Sequence, residues 1–235
     1  MILGKKILGT IGAMGGVPAV LNPFMWSLVQ MVQYNQEYVC GENEIIHYVQ
    51  APTSFHAESR NYLVDNCYGD WLLMLDTDHS FEPDILNRML KVMYENNIYV
   101  LSAIYQYKQD PYPPVLFMKN NNDSEDKKKN PFLLISEWDR SLDLLQVGSC
   151  GAGCLLIRKV VLDKIKNELK ENPFDILPPH SEDHSFFKRL DKLNIPVFVA
   201  MDIECNHLMI KKIELKDYND IDSKFYNHKI DTVGR

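Results

Sequence analysis

The chain has 235 residues, 46% of them hydrophobic and 24% charged, which is enough for one sizeable globular domain and excludes a disordered or fibrous chain. A net charge of −7 argues against a broad electrostatic footprint for nucleic acid, though not against a local basic patch. The apolar run after Lys5 and Lys6 is broken by Gly9, Gly12, Gly15, Gly16, Pro18 and Asn22-Pro23, so no span of about 20 apolar residues exists and no transmembrane helix is expected.

The first strand is expected from Leu3 to Ile11, followed by a Gly-rich loop to Pro18. Asn22 can cap a helix that has Pro23 at its first position, with Phe24, Leu28, Met31 and Val32 on one apolar face. Glu44 to Val49 predicts a second strand, and a short helix follows from about Ala57 with Leu63 and Val64 inward. Trp71 to Leu75 is nearly all apolar, as suits a central parallel strand covered on both faces. Pro83 opens a helix in which Leu86, Met89, Leu90 and Met93 recur at helical spacing, and Ile98 to Ile104 is the next strand. Alternating strands and helices predict an α/β fold with a mostly parallel sheet and right-handed crossovers.

The character changes after Tyr105. Pro111, Pro113 and Pro114 crowd a loop. The polar stretch from Lys119 to Asn130 lies between Val115–Met118 and Phe132–Ile135, which predicts a small antiparallel hairpin excursion. Leu144–Val147 and Cys154–Ile157 bracket a Gly-rich turn. Val161, Leu162, Ile165 and Leu169 mark one helix, Phe186, Phe187, Leu190 and Leu193 another, and Val197 to Met201 a last strand. One catalytic domain is expected over residues 1–210, with a nucleotide-binding half at 1–105 and an acceptor half at 106–210. A polar tail at 211–235 could serve as a lid. The five cysteines, odd in number and without a dense framework, suggest reduced thiols and a cytoplasmic location. Cys150, Cys154 and Cys205 lack the close pairing of a zinc site and read as small buried residues.

The chemistry concentrates where the Trp71–Leu75 strand ends in Asp76-Thr77-Asp78. Ligands of an open parallel sheet bind beyond the carboxyl ends of its strands. Residues i and i+2 of an extended chain point to one side, so Asp76 and Asp78 can face one ligand together. Their hard oxygens suit Mg²⁺ or Mn²⁺, ions that also bridge diphosphate oxygens. The bland alternative is a turn with an Asx cap ahead of the Pro83 helix. Ser181-Glu182-Asp183 has its own bland explanation, Ser181 as a helix cap with acids in the first turn. His79 and His184, beside Asp78 and Asp183, are further candidates to bind a metal or orient a carboxylate.

With these residues in place, the chain resembles the family 2-like glycosyltransferases of the GT-A fold, from about Ile7 to His207. The resemblance rests on RNYLVDN (60–66), LDTD (75–78), VGSCGAGCLLIRKVVLDKI (147–165) and HSEDHSFFKRLDKLNIPVFV (180–199), in that order, with His207 following. It implies transfer of a sugar from a nucleoside-diphosphate sugar, most simply a UDP-sugar, assisted by Mn²⁺ or Mg²⁺. Asp76, Asp78 and His207 would serve the metal, with Asp76 shared with the ribose. Thr10, Ile11, Arg60 and Thr77 would meet the nucleotide. Asp183, with Glu182 beside it, would act as base on the acceptor, which is the arrangement of inverting members. Many members carry a proline directly after the first strand; here Pro18 comes late. The acceptor class stays open among glycan, lipid, protein and modified nucleic-acid base. Two other functions compete, sugar-phosphate nucleotidyl transfer and a non-catalytic nucleotide or glycan-binding module. The first usually needs a basic Gly-rich loop after the first strand, and this loop has no Lys or Arg.

Overall fold

A computed structural model describes residues 4–15, 20–120, 131–135 and 137–209 of the chain. The central part of the polar excursion and the whole 211–235 tail lie outside the described residues.

The chain opens with β1 (Lys6–Ala13), α1 (Asn22–Tyr38), β2 (Glu44–Gln50), α2 (His56–Asp65) and β3 (Trp71–Leu75). It continues through β4 (His79–Phe81), α3 (Ile85–Glu95) and β5 (Val100–Ile104). All five β3 residues are buried, as a strand covered on both faces requires. In α3, Ile85, Leu86, Met89 and Met93 form the buried stripe. Gly9 lets β1 lie against β3, because a Cβ there would fall 2.2 Å from the Trp71 ring.

Three local expectations shift. β1 runs to Ala13, two residues beyond Ile11. Leu21, not Asn22, occupies the cap of α1 and makes no side-chain capping bond. After Asp78 the chain does not pass straight into the Pro83 helix; it first forms β4, and α3 begins only at Ile85.

The second half forms β6 (Leu116–Lys119), β7 (Phe132–Leu134), β8 (Leu144–Val147), β9 (Ser149–Cys150) and β10 (Cys154–Arg158). Then come α4 (Lys159–Lys164), which continues as a π turn over Ile165–Leu169, α5 (Glu182–Lys192) and β11 (Val197–His207). The main sheet has the order β2-β1-β3-β10-β5-β11-β4, with β8 paired to β11. β2, β1, β3, β5 and β11 run one way, while β10, β4 and β8 run against them. The sheet is thus mostly parallel, with β10 wedged between β3 and β5. One apolar cluster, including Leu72, Met74, Leu155 and Phe186, packs against one face, and a second, including Leu73, Leu75, Met89 and Leu156, packs against the other. The expected excursion is a separate antiparallel sheet, β7-β6-β9.

Candidate active site

The polar centre sits beyond the carboxyl ends of β1 and β3. The Met14 amide donates to the Leu75 carbonyl and the Asp76 amide to the Gly153 carbonyl, each at 2.9 Å. Past this point β3 has no further ladder partner, so Asp76-Thr77-Asp78 leaves the sheet. The chain then turns back as β4 and pairs antiparallel with the end of β11, setting His79 opposite His207. The Leu208 amide closes the corner by donating to the Asp78 carbonyl at 2.6 Å.

This pairing gathers Asp78, His79 and His207 so that one donor atom from each lies within 4.8 Å of the others. His207 Nε2 is 3.5 Å from Asp78 Oδ2, and His79 Nδ1 is 3.1 Å from Asp78 Oδ1. The two imidazoles stack at 4.4 Å between centroids, and Tyr105 meets His79 edge-on at 4.8 Å. His207 Nδ1 lies 2.8 Å from the Gln106 carbonyl oxygen. A carbonyl only accepts, so Nδ1 carries a proton, and Nε2 is the ring nitrogen that faces Asp78. Lys108 Nζ donates to Asp78 Oδ2 at 2.5 Å. Burial opposes ionisation of Asp78, but the approach of His207, His79 and Lys108 outweighs it and holds the carboxyl far below the usual carboxylate range.

Asp76 faces elsewhere. Arg60 Nη2 donates to its two oxygens at 3.2 and 3.4 Å. The same guanidinium reaches Glu182 Oε1 at 3.3 Å and the Ala152 carbonyl at 3.0 Å. Arg60 is only 3% exposed, so it is a buried clamp between α2, the end of β3, the turn before β10 and the start of α5. Burial disfavours its charge, yet Asp76, Glu182 and Asp183 together raise its pKa.

The other expected site residues differ in depth and in partners. Thr10 is fully buried within β1; its hydroxyl donates to the Tyr68 carbonyl at 2.9 Å and accepts from the Tyr68 amide at 2.8 Å. Ile11 is a core residue of the same strand. β1 runs on to Ala13, and Met14 and Gly15 line the cleft beside Asp76 and Asp78, while Ile11 lines a neighbouring cleft with Ala13 and Tyr48. Glu182 is nearly buried, its Oε1 3.3 Å from Arg60 Nε and 3.6 Å from His56 Nδ1. Asp76 lies outside the three-residue group that could hold a metal. Thr77 stays where expected, lining with Asp76, Asp78, Ser54 and His56 a cleft of about 240 Å³.

Asp183 lies in the first turn of α5. Its Oδ1 accepts from the Ser181 hydroxyl and, at 2.7 Å, from the His184 amide. Ser181 caps the helix by accepting from the His184 amide, so the bland reading of that serine holds. The Asp183 charge is one of those that raise the pKa values of Arg60, Tyr105 and Tyr107. Burial, then the charge of Asp76, pushes the Tyr105 phenol well above its ordinary range. Its oxygen accepts from the Gly153 amide at 3.0 Å.

Residues 28–166 match glycosyl transferase family 2. The chain belongs to that family. Membership carries the general activity of the family, glycosyl transfer from a nucleotide sugar. Among solved structures the chain is similar to A197 from STIV, with 18% identity, 86% of each chain covered and a TM-score of 0.55. At that identity the likeness shows the fold alone, a GT-A architecture. No curated protein matches the chain.

Lys108 and Tyr105 were not legible as site residues. Lys108 sits in a Pro-rich loop closed by the bridge between Gln106 and Pro114 and by the Tyr107 amide donating to the Pro113 carbonyl, and its ammonium reaches Asp78. The period-two burial of His79-Ser80-Phe81 was the one local signal of β4, and three residues are too few to read as a strand.

Proposed function

We propose that this family 2 enzyme moves a glycosyl group from a UDP-sugar to an acceptor hydroxyl, assisted by Mn²⁺ or Mg²⁺, with inversion and with Asp183 as the base. The meeting of Asp78, His79 and His207 at the carboxyl end of β3 carries this reading. A carboxylate and imidazole nitrogens this close form a donor set suited to a divalent ion. The Lys108 ammonium supports the fit, since Asp78 is already arranged around a positive charge. When bound, such an ion offsets the negative charge that grows on a leaving diphosphate.

The residues of the chain would divide the remaining work. Asp78 and His207 hold the cation side. Asp76, its carboxylate held by Arg60, presents itself to the ribose, and Thr77 borders the same cleft. Arg60 acts through Asp76 and not on the nucleotide itself. Asp183 removes the proton as the acceptor hydroxyl attacks the anomeric carbon, and a single displacement inverts that centre. Glu182 positions the start of α5 through Arg60. Residues up to 105 would bind the nucleotide, and those from 106 onward would shape the acceptor side. Five free thiols fit a reducing, cytoplasmic setting.

The test is incubation of purified chain with a panel of nucleotide sugars, with Mn²⁺, Mg²⁺ or chelator, following nucleoside diphosphate release and the anomeric configuration of the product. Asp183→Asn should lower kcat by about 10²–10⁴-fold, the usual share of a general base. Full activity in chelator, or an undiminished rate in Asp183→Asn, would contradict the proposal. Pyrophosphate release from a nucleoside triphosphate and a sugar phosphate would favour nucleotidyl transfer instead.

A further inference from the structure

We infer that the acceptor carries a phosphate group, held by Lys188, His180 and His184 beside Asp183. The inference deepens the proposed function and rests on it for Asp183 as the base.

Lys188 is the anomaly from which it starts. Elsewhere in the chain lysines such as Lys119, Lys159, Lys166 and Lys192 meet carboxylates. Lys188 meets none among the described residues, in a chain whose net charge is −7. Its Nζ lies instead 3.0 Å from His180 Nε2. An ammonium has only protons to give, so the imidazole nitrogen accepts and the ring is neutral. His180 is 8% exposed, and its amide donates to the Leu177 carbonyl at 3.0 Å. Burial lowers its pKa, and the charges of Lys188 and His184 lower it further. Burial and the Lys192 charge act in the same direction on Lys188. Three basic side chains thus stand close enough to act on one another, with no described carboxylate to offset them. Partly buried positive charge without a counter-ion is unfavourable, and an anion would complete the set.

The cluster belongs to the acceptor side. His184 follows Asp183 in α5, and its amide donates to Asp183 Oδ1 at 2.7 Å. Lys188 is four residues further and shares a helix face with His184. His180 stands just ahead of the helix. The small sheet holds the His184 ring, edge-on to Phe117 at 4.9 Å and tilted to Phe132 at 5.3 Å. The donor cleft is lined by other residues, Asp76, Thr77 and Asp78 among them. An anion at Lys188 is therefore separate from the diphosphate of the donor.

The donor groups favour phosphate. A lysine ammonium is a compact point charge with three rotatable protons, as phosphate oxygens require, whereas a planar carboxylate is better matched by the guanidinium fork. A phosphate monoester is close to dianionic at neutral pH, so it can offset Lys188 and favour the protonated form of a neighbouring imidazole.

The experiment uses the full chain and inorganic phosphate, followed by proton NMR of the histidine Cε1–H signals, which His180→Gln and His184→Gln assign. In the wild type, phosphate should shift the His180 and His184 signals saturably, and chloride at equal ionic strength should not. Lys188→Met should weaken phosphate binding at least five-fold. Lys188→Arg keeps the charge and should change it under three-fold, as should Lys192→Met, whose lysine pairs with Glu171. Saturating UDP should leave the phosphate affinity unchanged. Glycerol 3-phosphate and vesicles containing phosphatidic acid run as parallel arms; tighter binding of the first assigns a soluble phosphate ester, of the second a lipid headgroup, and either supports the class. No saturable shift, an equal shift with chloride, wild-type affinity in a folded Lys188→Met, or displacement of phosphate by UDP overturns the inference. So does glycosyl transfer to neutral alcohols in preference to their phosphate monoesters. The wild-type shifts need no lysine variant, so they decide the matter even if Lys188→Met does not fold. Phosphate bound at His180 and His184 without turnover of any nucleotide sugar would sink the transferase proposal alone. Turnover without phosphate binding would sink this inference alone.

Discussion

Replacing Arg60 with methionine should cost the fold about 3–5 kcal/mol, the range for removing one partner of a buried ion pair. The magnitude follows from what is left behind. Methionine fills most of the space of the arginine stem, so the cavity contribution is small. The Glu182 carboxylate, its side chain 12% exposed, loses the guanidinium 3.3 Å away and keeps only the exposed His56 ring at 3.6 Å near the same oxygen. The Ala152 carbonyl loses a donor at 3.0 Å, a further cost of about 1–3 kcal/mol within that total. Asp76 is more open, and water can replace its contact. The diagnostic is a double-mutant cycle with Glu182→Gln. Alone, Glu182→Gln weakens a charge-assisted bond and should destabilise. On the Arg60→Met background it removes the Glu182 charge and should stabilise by about 1–3 kcal/mol. Equilibrium urea unfolding at pH 7, followed by tryptophan fluorescence, measures all four corners of the cycle. An Arg60→Met cost below about 1 kcal/mol, or a Glu182→Gln change that destabilises both backgrounds, would refute the buried clamp and return Glu182 to a direct role in chemistry.

Other sites give separate checks. Gly153→Ala places a Cβ 2.6 Å from His79 Cε1; it should cost about 1–3 kcal/mol by overpacking and weaken Mn²⁺ binding, read by thermal melts and metal titration. Lys108→Met removes a half-exposed competitor for Asp78, a pair worth roughly 0.2–1 kcal/mol, so Mn²⁺ affinity should rise up to about five-fold in the same titration, and a fall would contradict it. Burial pushes the Cys150 thiol up to about 12 and the Cys67 thiol up to about 11. Unfolded thiols ionise near 8.5, so above that pH the unfolded chain holds fewer protons and stability falls as pH rises, by up to about 1.4 kcal/mol per pH unit for each thiol. Cys150→Ala should therefore flatten the alkaline slope by about one such increment in urea unfolding across roughly pH 9–11, and an unchanged slope would refute the assignment.

Local patterns carried much of the architecture. The apolar run Trp71–Leu75 is wholly buried, Ser181 does cap α5, and the segments flanking the polar excursion do pair as β6 and β7. Each of these rests on interactions a few residues long or on solvent exclusion of a whole segment, which residue order records directly. Thr10 shows where local resemblance stops short. It lies on the expected strand, but strand length and register decide which residue reaches the mouth, and the strand runs to Ala13.

The sequence by itself determined that two carboxylates leave the end of a buried strand, and that strands and helices alternate in the manner of this family. Only the tertiary structure decided what those carboxylates meet. Arg60 reaches Glu182 across 122 positions of chain and draws Asp76 to itself. The pairing of β4 with β11 lays His79 on His207, 128 positions apart, and turns Asp78 toward both. The physical reason is that periodicity reports which face of an element is apolar, whereas the partner of a strand or a buried charge is chosen when distant segments satisfy each other's polar groups away from water.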